Sequence, residues 1–509
     1  MDSRINMTFR NAFWSYFSMI ASLVIQFISR TVFIYCLGET YLGINGLFSN
    51  VLGVLSFAEL GIGTAMNYSL YKPVAKGNRE KIKSYMFCYK WAYRIIAAVV
   101  SVLGAALLPF LPYLVKDPGN VGDIRVYYLI FLFNTVTSYF VSYKYSLVNA
   151  EQKNYIYTNV NLVITLTQTL VQIITMVIWH DYLLYLVIGA GFGLFQKIFV
   201  GKYLNHLYPY LRDKHAEKLS KEEERTLIQK VKALVIHKIG DISVHQTDNI
   251  IVSAFVNVRA VGLISNYNLI IGTVSSCISV LFNSVTGSLG NLVATESKEH
   301  QYEVFCVYRF IGFWFYGFTS VALLTLLTPF ITLWIGERMA VDEVVIALIV
   351  LDYYMIGHRI CLNNIKVAAG SFERDKYVAL LQAVVNLIAS ILLVKSIGLR
   401  GVYIGTIMQG AISSVVKPLV TYRDLFGKSS ALYFADSLRY GAAVAASLAI
   451  CLWLRTAVLS VITVDRFAAM MVMVTIVPNL LFIMAFHRRR EFQYVWNLGK
   501  QIGKKIFRR

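Results

Sequence analysis

The chain contains 509 residues, of which 57% are hydrophobic and only 15% are charged. A soluble globule of this size needs more polar side chains to cover its surface, so the composition excludes an ordinary soluble protein. The formal net charge is +20. Excess Lys and Arg is the usual orientation signal of a chain that crosses a membrane many times, so we do not expect a nucleic-acid partner.

Apolar stretches recur along the chain from Ala12 to Phe486. Each is long enough to cross roughly 30 Å of hydrocarbon as a helix, which predicts an all-α polytopic membrane protein with about fourteen transmembrane helices. The first stretch is too long for the core of a signal peptide, so we expect it to remain as helix 1. The predicted helices lie at 12–37, 42–70, 84–115, 124–149, 155–179, 182–204, 231–255, 260–293, 304–335, 342–368, 377–395, 399–421, 432–455 and 466–486.

Basic residues are distributed unevenly among the predicted loops. Lys and Arg are frequent at 72–83, at 205–230 and in the tail after residue 487, whereas the turns at 38–41 and 180–182 contain neither. Because basic loops stay in the cytoplasm, this asymmetry predicts an even number of spans, with both termini cytoplasmic.

An internal repeat predicts how the helices are grouped. The segment that opens helix 2, at 41–50, resembles the segment that opens helix 8, at 260–268. Two six-helix lobes in pseudo-twofold repeat, with two helices appended, would explain this similarity. The predicted organisation is an N-terminal lobe at 1–204, a basic cytoplasmic linker at 205–230, a C-terminal lobe at 231–425, helices 13 and 14 at 426–487 and a basic cytoplasmic tail at 488–509. Within the linker, Ser220 and Glu223 have the spacing of a helix capping box.

Several ionisable residues fall inside predicted spans. A charge at mid-bilayer depth costs at least about 2.5–3.5 kcal/mol, so such residues indicate a wet cavity or an ion pathway. Arg30 lies in helix 1, Glu59 in helix 2 and Arg359 in helix 10. A structural salt bridge between Arg30 and Glu59 is an alternative explanation for the first two.

Helix 7 carries the densest group of polar residues. His237, Asp241, His245 and Asp248 follow each other at spacings of four, four and three, which places them on one helical face, and Lys238 is adjacent. A stripe of this kind does not face lipid. We interpret it as part of a substrate or coupling-ion site, with packing against helix 8 as the alternative.

Together these residues predict a cavity that suits an anionic group. Arg30, Lys238 and Arg359 would bind a phosphate-bearing headgroup, since an arginine fork matches phosphate geometry. The remaining residues are candidates for ion coupling or gating, namely Glu59, His237, Asp241, His245 and Asp248. The sequence contains no nucleotide-binding, hydrolase or metalloprotease motif, and its six cysteines stand singly, so we expect no enzyme activity, no metal and no cofactor.

Five short motifs resemble those of a known transporter family. They are Glu59–Ala65, His237–Asp241, Thr247–Ile251, Gly262–Tyr267 and Ser288–Leu292. With them the chain resembles the Wzx-like polysaccharide flippases of Gram-positive bacteria, in the multidrug/oligosaccharidyl-lipid/polysaccharide (MOP) exporter superfamily. The resemblance extends from about residue 5 to residue 425 and departs at Ile264, where tyrosine is more usual.

This resemblance implies a fold and an activity. The fold would be that of the MATE exporters and the MurJ flippase. The activity would be translocation of an undecaprenyl-diphosphate-linked oligosaccharide from the inner to the outer leaflet of a bacterial plasma membrane by alternating access. Its partners would be the lipid-linked oligosaccharide, membrane lipids and a polysaccharide polymerase or glycosyltransferases.

Three other functions remain open at this point. Glu59, Asp241 and Asp248 would also serve a cation-coupled drug or metabolite exporter of the same superfamily. A lipid II flippase differs from the favoured function only in the sugar that is carried. A scaffold that recruits polysaccharide-synthesis enzymes through basic loops requires no transport, but it leaves the polar stripe of helix 7 unexplained.

Overall fold

The structure is a computed structural model that describes residues 20–59, 62–151, 153–212, 219–369, 376–459 and 461–506. Within these ranges the regular secondary structure is entirely helical, which confirms the predicted all-α class. Ten described helices are long and apolar enough to cross a membrane. The chain is therefore a multi-pass membrane protein, while the count of about fourteen spans stays a prediction.

The chain forms two compact units that divide after Gly262. The described residues of the first unit form nine α-helices. Its helices are α1 Ile20–Cys36, α2 Glu39–Leu55, α3 Ile62–Ala75, α4 Arg79–Ala106, α5 Leu111–Leu114, α6 Ile124–Ala150, α7 Asn154–Trp179, α8 Tyr182–Leu207 and α9 Lys221–Ile251.

The second unit begins just inside the next helix and is likewise helical throughout its described residues. Its elements are α10 Val258–Ser284, α11 Thr286–Thr295, α12 Lys298–Ile335, α13 Glu343–Ala368, α14 Lys376–Ile397, α15 Leu399–Thr421, α16 Ala431–Val458, α17 Val464–Phe486 and α18 Arg490–Ile506. The division after Gly262 does not test the predicted lobe boundaries, which stay a prediction.

Small residues allow a close helix contact in the second unit, the hairpin of α14 and α15. A Cβ atom at Gly401 would lie 2.4 Å from the carbonyl carbon of Leu393, and one at Gly405 would lie 2.2 Å from Ser390 Oγ. The four-residue spacing of these glycines is typical of closely packed membrane helices. Polar side chains join the two helices further along, since Gln382 Nε2 donates to Gln409 Oε1 at 2.5 Å.

Three predicted helices are interrupted among the described residues, and the one over 260–293 breaks at Val285, between α10 and α11. The sequence predicts one helix over 42–70, but α2 ends at Leu55 and a 3-10 turn follows at Ser56–Glu59. Glycine and serine weaken a helix locally, and Gly53, Ser56 and Gly61 surround this break. The predicted helix over 84–115 likewise ends at Ala106, shortly before Pro109, because proline lacks the amide that a continuing helix needs.

The predicted linker and the predicted helix 7 form a single helix, α9. Ser220 Oγ accepts a hydrogen bond from the Glu223 amide at 3.3 Å, and Glu223 Oε2 accepts one from the Ser220 amide at 3.1 Å. The capping box is therefore confirmed. The helix that it begins continues to Ile251 without a break, so the charged segment leads directly into the apolar one.

Candidate functional site

Arg359 lies inside the second unit, as its position in a predicted span suggested. Only 6% of the residue is exposed. Its Nη1 donates a hydrogen bond of 2.7 Å to the carbonyl oxygen of Gly410 on α15, and Asp352, two turns earlier on α13, attracts it electrostatically. Part of the guanidinium is thus occupied by the protein itself, which positions α15 against α13.

A second buried arginine, Arg309 on α12, was not singled out from the sequence. Its Nη2 donates to the carbonyl oxygen of Tyr433 at 2.8 Å and to Ser437 Oγ at 2.7 Å. The guanidinium carbon lies 3.7 Å from the centre of the Tyr433 ring. Neutral oxygens and an aromatic face therefore stabilise this cation, a combination that the planar guanidinium is suited to.

His358 lies close to both arginines. It is adjacent to Arg359 in the chain, and its Nε2 lies 2.9 Å from Ser437 Oγ and 3.4 Å from Arg309 Nη2. Two guanidinium groups, those of Arg309 and Arg359, therefore lie near His358 within the second unit. We call these three residues the arginine cluster.

Arg30 belongs to the first unit and lies in half-buried surroundings on α1. It interacts electrostatically with Tyr185 of α8. The Tyr185 ring stacks on Tyr182 at 6.0 Å between centroids and contacts Phe33 edge-on at 5.2 Å. Arg30 therefore lies beside an aromatic cluster, and the predicted set of Arg30, Lys238 and Arg359 is distributed over both units.

Glu59 accepts a short hydrogen bond from the Tyr93 hydroxyl. Tyr89 donates to the Tyr93 hydroxyl at 3.4 Å, and Ser146 Oγ of α6 donates to the Tyr89 hydroxyl at 3.1 Å. A chain of hydroxyl groups thus runs from α6 through α4 to the carboxylate. Such an arrangement is suited to holding a proton or a cation at Glu59, since each hydroxyl can reorient its hydrogen.

The polar stripe of helix 7 is described only in part. The backbone of α9 is helical through all its positions, and Asp248 is half-buried there. The side chains of the other stripe members lie outside the described residues, so their predicted roles stay predictions. These residues are His237, Lys238, Asp241 and His245.

The two glycine motifs that suggested an internal repeat meet in the first unit. A Cβ atom at Gly43 would lie 1.9 Å from the Val258 carbonyl oxygen, and one at Gly262 would lie 2.0 Å from the Glu39 carbonyl oxygen. Near the same point Arg259 Nη2 lies 2.9 Å from Glu39 Oε1. We call this contact between α2 and the start of α10 the glycine crossing.

A polar cavity of about 450 Å³ lies among α3, α4 and α9. Three lysines contribute to its lining, Lys72, Lys76 and Lys81, and Lys81 Nζ forms a 2.6 Å ion pair with Glu223 at the start of α9. The first two lysines are exposed, and Glu222 lines the cavity as well as Glu223. Three lysines against two glutamates leave this basic cavity a small positive charge, which can attract an anion at one end of the first unit.

The comparisons with known proteins identify the fold. No family model matches the chain, and no curated protein matches it. A solved structure of the lipid II flippase MurJ, in an inward closed conformation, is 15% identical and covers 94% of this chain and 98% of its own, with a TM-score of 0.66. An inward-facing MATE multidrug transporter of the MOP superfamily is 14% identical and covers 80% and 94%, with a TM-score of 0.62.

A variant of the Vibrio cholerae MATE transporter VcmN is 15% identical, covers 84% of this chain and 98% of its own, and has a TM-score of 0.54. The chain therefore has the fold of the MATE and MurJ transporters, as the resemblance implied. At these identities the likeness concerns the fold alone, and function has to be argued from residues.

Proposed function

We propose that this chain is a flippase that translocates an undecaprenyl-diphosphate-linked oligosaccharide from the inner to the outer leaflet, for cell-surface polysaccharide export. The observation that carries the proposal is the extent of the structural match. The flippase structure leaves about 30 residues of this chain unmatched, fewer than α16 and α17 contain together, whereas the MATE structure leaves about 100. At least part of α16 and α17 is therefore matched by the flippase structure.

The distribution of positive charge supports an anionic cargo. A diphosphate needs donors that remain charged away from bulk water, and Arg30 and Arg359 provide guanidinium groups at partly or fully buried positions. The basic cavity at Lys72, Lys76 and Lys81 supplies exposed charge that would concentrate such a headgroup before it enters. Lys238 completes the proposed headgroup set. Movement by alternating access requires no covalent chemistry, so the proposal includes no enzyme activity.

The test is leaflet accessibility of lipid-linked oligosaccharides in proteoliposomes. Wild-type protein should externalise a diphosphate-linked glycan, Arg30→Ala should not, and Arg30→Lys should retain part of the rate because it keeps the charge. Size-exclusion profiles establish that each variant is folded. Equal rates for wild type and Arg30→Ala would contradict the headgroup assignment. Externalisation of lipid II alone from a glycan panel would indicate a lipid II flippase, and no externalisation of any glycan would overturn the proposal.

Glu59 favours a second candidate, a cation-coupled exporter. Its carboxylate is held by the chain of Tyr93, Tyr89 and Ser146 hydroxyls, which suits a group that takes up and releases a proton. An exporter of this kind should export cationic dyes when a pH gradient drives protons inward, and Glu59→Gln should stop that export. Tyr93→Phe removes the hydrogen bond but keeps the carboxylate, so it should shift the pH dependence of dye export and leave some transport.

A further inference from the structure

The second unit contains an apolar groove that the proposed transport cycle does not use. Its volume is about 460 Å³, within the range of about 300–1,000 Å³ that small-molecule sites occupy. The groove lies among α12, α17 and α18. Its main lining residues are Phe310, Trp314, Ile483, Phe492, Trp496 and Lys500.

The aromatic walls of the groove are fixed in position. Trp314 Nε1 donates a 2.7 Å hydrogen bond to Asn479 Oδ1 of α17, and the Trp314 ring stacks on Phe492 at 5.9 Å between centroids. Phe492 and Val495 pack against a buried cluster that includes Phe310. Because both sides of the groove are held by such contacts, a ligand would enter a site that already exists.

The third wall, α18, has the composition of an interfacial helix. Its apolar residues Phe492, Val495 and Trp496 follow helical spacing, whereas Arg490, Gln493 and Asn497 occupy other positions. It begins at Arg490, directly after the apolar helix α17 ends at Phe486. Since α17 is long and apolar enough to span a membrane, α18 begins where that span reaches the membrane boundary.

The charge at the edge of the groove is positive. Lys500 Nζ lies 5.4 Å from the centre of the Trp496 ring and contributes to the groove lining. In the sequence, further basic residues precede α18, stand near its two ends and follow it. These are Arg488, Arg489, Arg490, Lys504, Lys505, Arg508 and Arg509. A basic helix at a membrane boundary attracts anionic lipid, and the attraction grows with each Lys or Arg near the surface.

We propose that this groove binds one acyl chain of an anionic phospholipid of the bilayer, with the lipid phosphate held by Lys500. The groove supplies an apolar aromatic channel, and its edge supplies the cation that matches the headgroup. The occupant is a lipid because the apolar wall and the basic helix meet at the membrane boundary, where acyl chains and phosphates lie next to each other. This site is independent of the cargo and of the proposed flippase activity.

Gly499 provides a direct way to fill the groove. A Cβ atom at this position would meet no described atom within 4 Å, and the residue lines the groove. Gly499→Leu therefore adds an apolar side chain without displacing the protein, and leucine favours the helix more than glycine does. Gly441→Leu on α16 is the matched control, because Gly441 is also a helical glycine with open space around it and does not line the groove.

The experiment measures lipid retention by native mass spectrometry after exchange into vesicle-derived nanodiscs of phosphatidylglycerol or phosphatidylcholine. Wild type and Gly441→Leu should retain at least one phosphatidylglycerol in preference to phosphatidylcholine. Gly499→Leu should lose this retained lipid. In Lys500→Gln the preference for phosphatidylglycerol over phosphatidylcholine should fall at least several-fold. Bromination of the phosphatidylglycerol chains should quench tryptophan fluorescence more in Gly441→Leu than in Gly499→Leu.

Three results would overturn the proposal. Equal retention by Gly499→Leu and Gly441→Leu would place the lipid elsewhere. Retention without headgroup preference in the wild type would remove the role of Lys500. Displacement of the retained lipid by a polyprenyl diphosphate at equal concentration would assign the groove to the cargo tail, in place of a bilayer phospholipid. None of these results depends on transport, so the proposed function stands or fails separately.

Discussion

Arg309 illustrates how a single charge can be kept inside a membrane protein. The residue is 4% exposed, and its guanidinium contacts the Tyr433 carbonyl, Ser437 Oγ and the face of the Tyr433 ring. Removing a buried charge from water is expensive, and several good hydrogen bonds are needed to offset that loss. The side chain therefore ties α12 to α16 through contacts that neither lysine nor a neutral residue reproduces.

The first prediction is that Arg309→Ala strongly lowers stability. The substitution removes the two hydrogen bonds that the charged guanidinium donates to the Tyr433 carbonyl and Ser437 Oγ, each worth about 1.5–3 kcal/mol, and it removes the stacking on Tyr433. Thermal unfolding in detergent, followed by intrinsic fluorescence, measures the loss. Arg439→Ala is the control, because Arg439 pairs with Asp436 at 3.3 Å on the surface and such pairs contribute about 0–1 kcal/mol. Equal unfolding temperatures for the two variants would contradict the assigned role.

At the scale of helices, the glycine crossing explains why two separate motifs contain glycine at matching positions. Backbone atoms of one helix occupy the space that a side chain at Gly43 or Gly262 would need. Gly46, three positions after Gly43, is less constrained, since a Cβ there would lie 3.4 Å from the Val261 side chain. The same short motif therefore contains one position that excludes any side chain and one that does not.

The second prediction follows from this difference. Gly43→Ala should disrupt the contact between α2 and α10, because the added methyl group would overlap the Val258 carbonyl and the helices must separate. Gly46→Ala should be tolerated with a change of less than about 1.5 kcal/mol. Hydrogen exchange of the amides at 39–46 and 258–264 measures the separation. Unchanged protection in Gly43→Ala would show that the crossing is not formed in the membrane.

The third prediction concerns pH at the start of α9. The hydrogen bond from Lys81 holds the pKa of Glu223 below its ordinary value of 4.5, with help from Ser220. Because the folded pKa is depressed, the stabilisation is fully present above pH 4.5 and is lost as the pH falls through the folded pKa. At pH 3.5 the amides at 219–226 should lose protection, so that they exchange faster than expected after correction for the intrinsic exchange rate at that pH. The loss of protection should be modest, because the Lys81–Glu223 pair is partly exposed.

The control for this pH effect is Glu223→Gln. Glutamine keeps part of the capping geometry but does not titrate, so the excess opening at low pH should disappear in this variant. Lys81→Met should remove most of the effect as well, since Lys81 is the main cause of the lowered pKa. An acid-induced opening that persists in Glu223→Gln would assign the sensitivity to another group.

For the molecule as a whole, the fourth prediction connects the glycine crossing to transport. If α2 and α10 must part during each cycle, a covalent link across the crossing should stop transport. Glu39→Cys with Arg259→Cys, in a background without the six native cysteines, can be joined by a short thiol-cleavable linker, because the native side chains are 2.9 Å apart. Leaflet accessibility of the cargo should halt on linking and recover on cleavage.

The single-cysteine proteins treated with the same linker are the controls for this experiment. They should transport at the rate of the cysteine-free background, because modification at one position joins nothing. Full transport by the doubly linked protein would mean that the crossing remains closed throughout the cycle.

The sequence was sufficient to predict the helical class and the buried position of Arg359, because both follow from composition and apolar length. It did not predict that Gly410 would accept from Arg359, since that contact joins α13 to α15 through three-dimensional packing. Arg309 was missed because it lies near the start of a predicted span, where a charge can extend to the interface. The tail was interpreted only as basic, although its apolar residues at 492, 495 and 496 have helical spacing.

The contacts of Arg309 also determine the order in which α12 and α16 reach their final positions during synthesis. Its partners Tyr422 and Ser437 follow it by 113 and 128 residues, which a ribosome adds in roughly 6–25 s at about 5–20 residues per second. Until then Arg309 lacks these partners and must stay in contact with water or headgroups. The N-terminal part of α12 can therefore reach its final depth only after α16 has been synthesised, so a chain truncated before Ser437 should leave that part accessible to membrane-impermeant reagents.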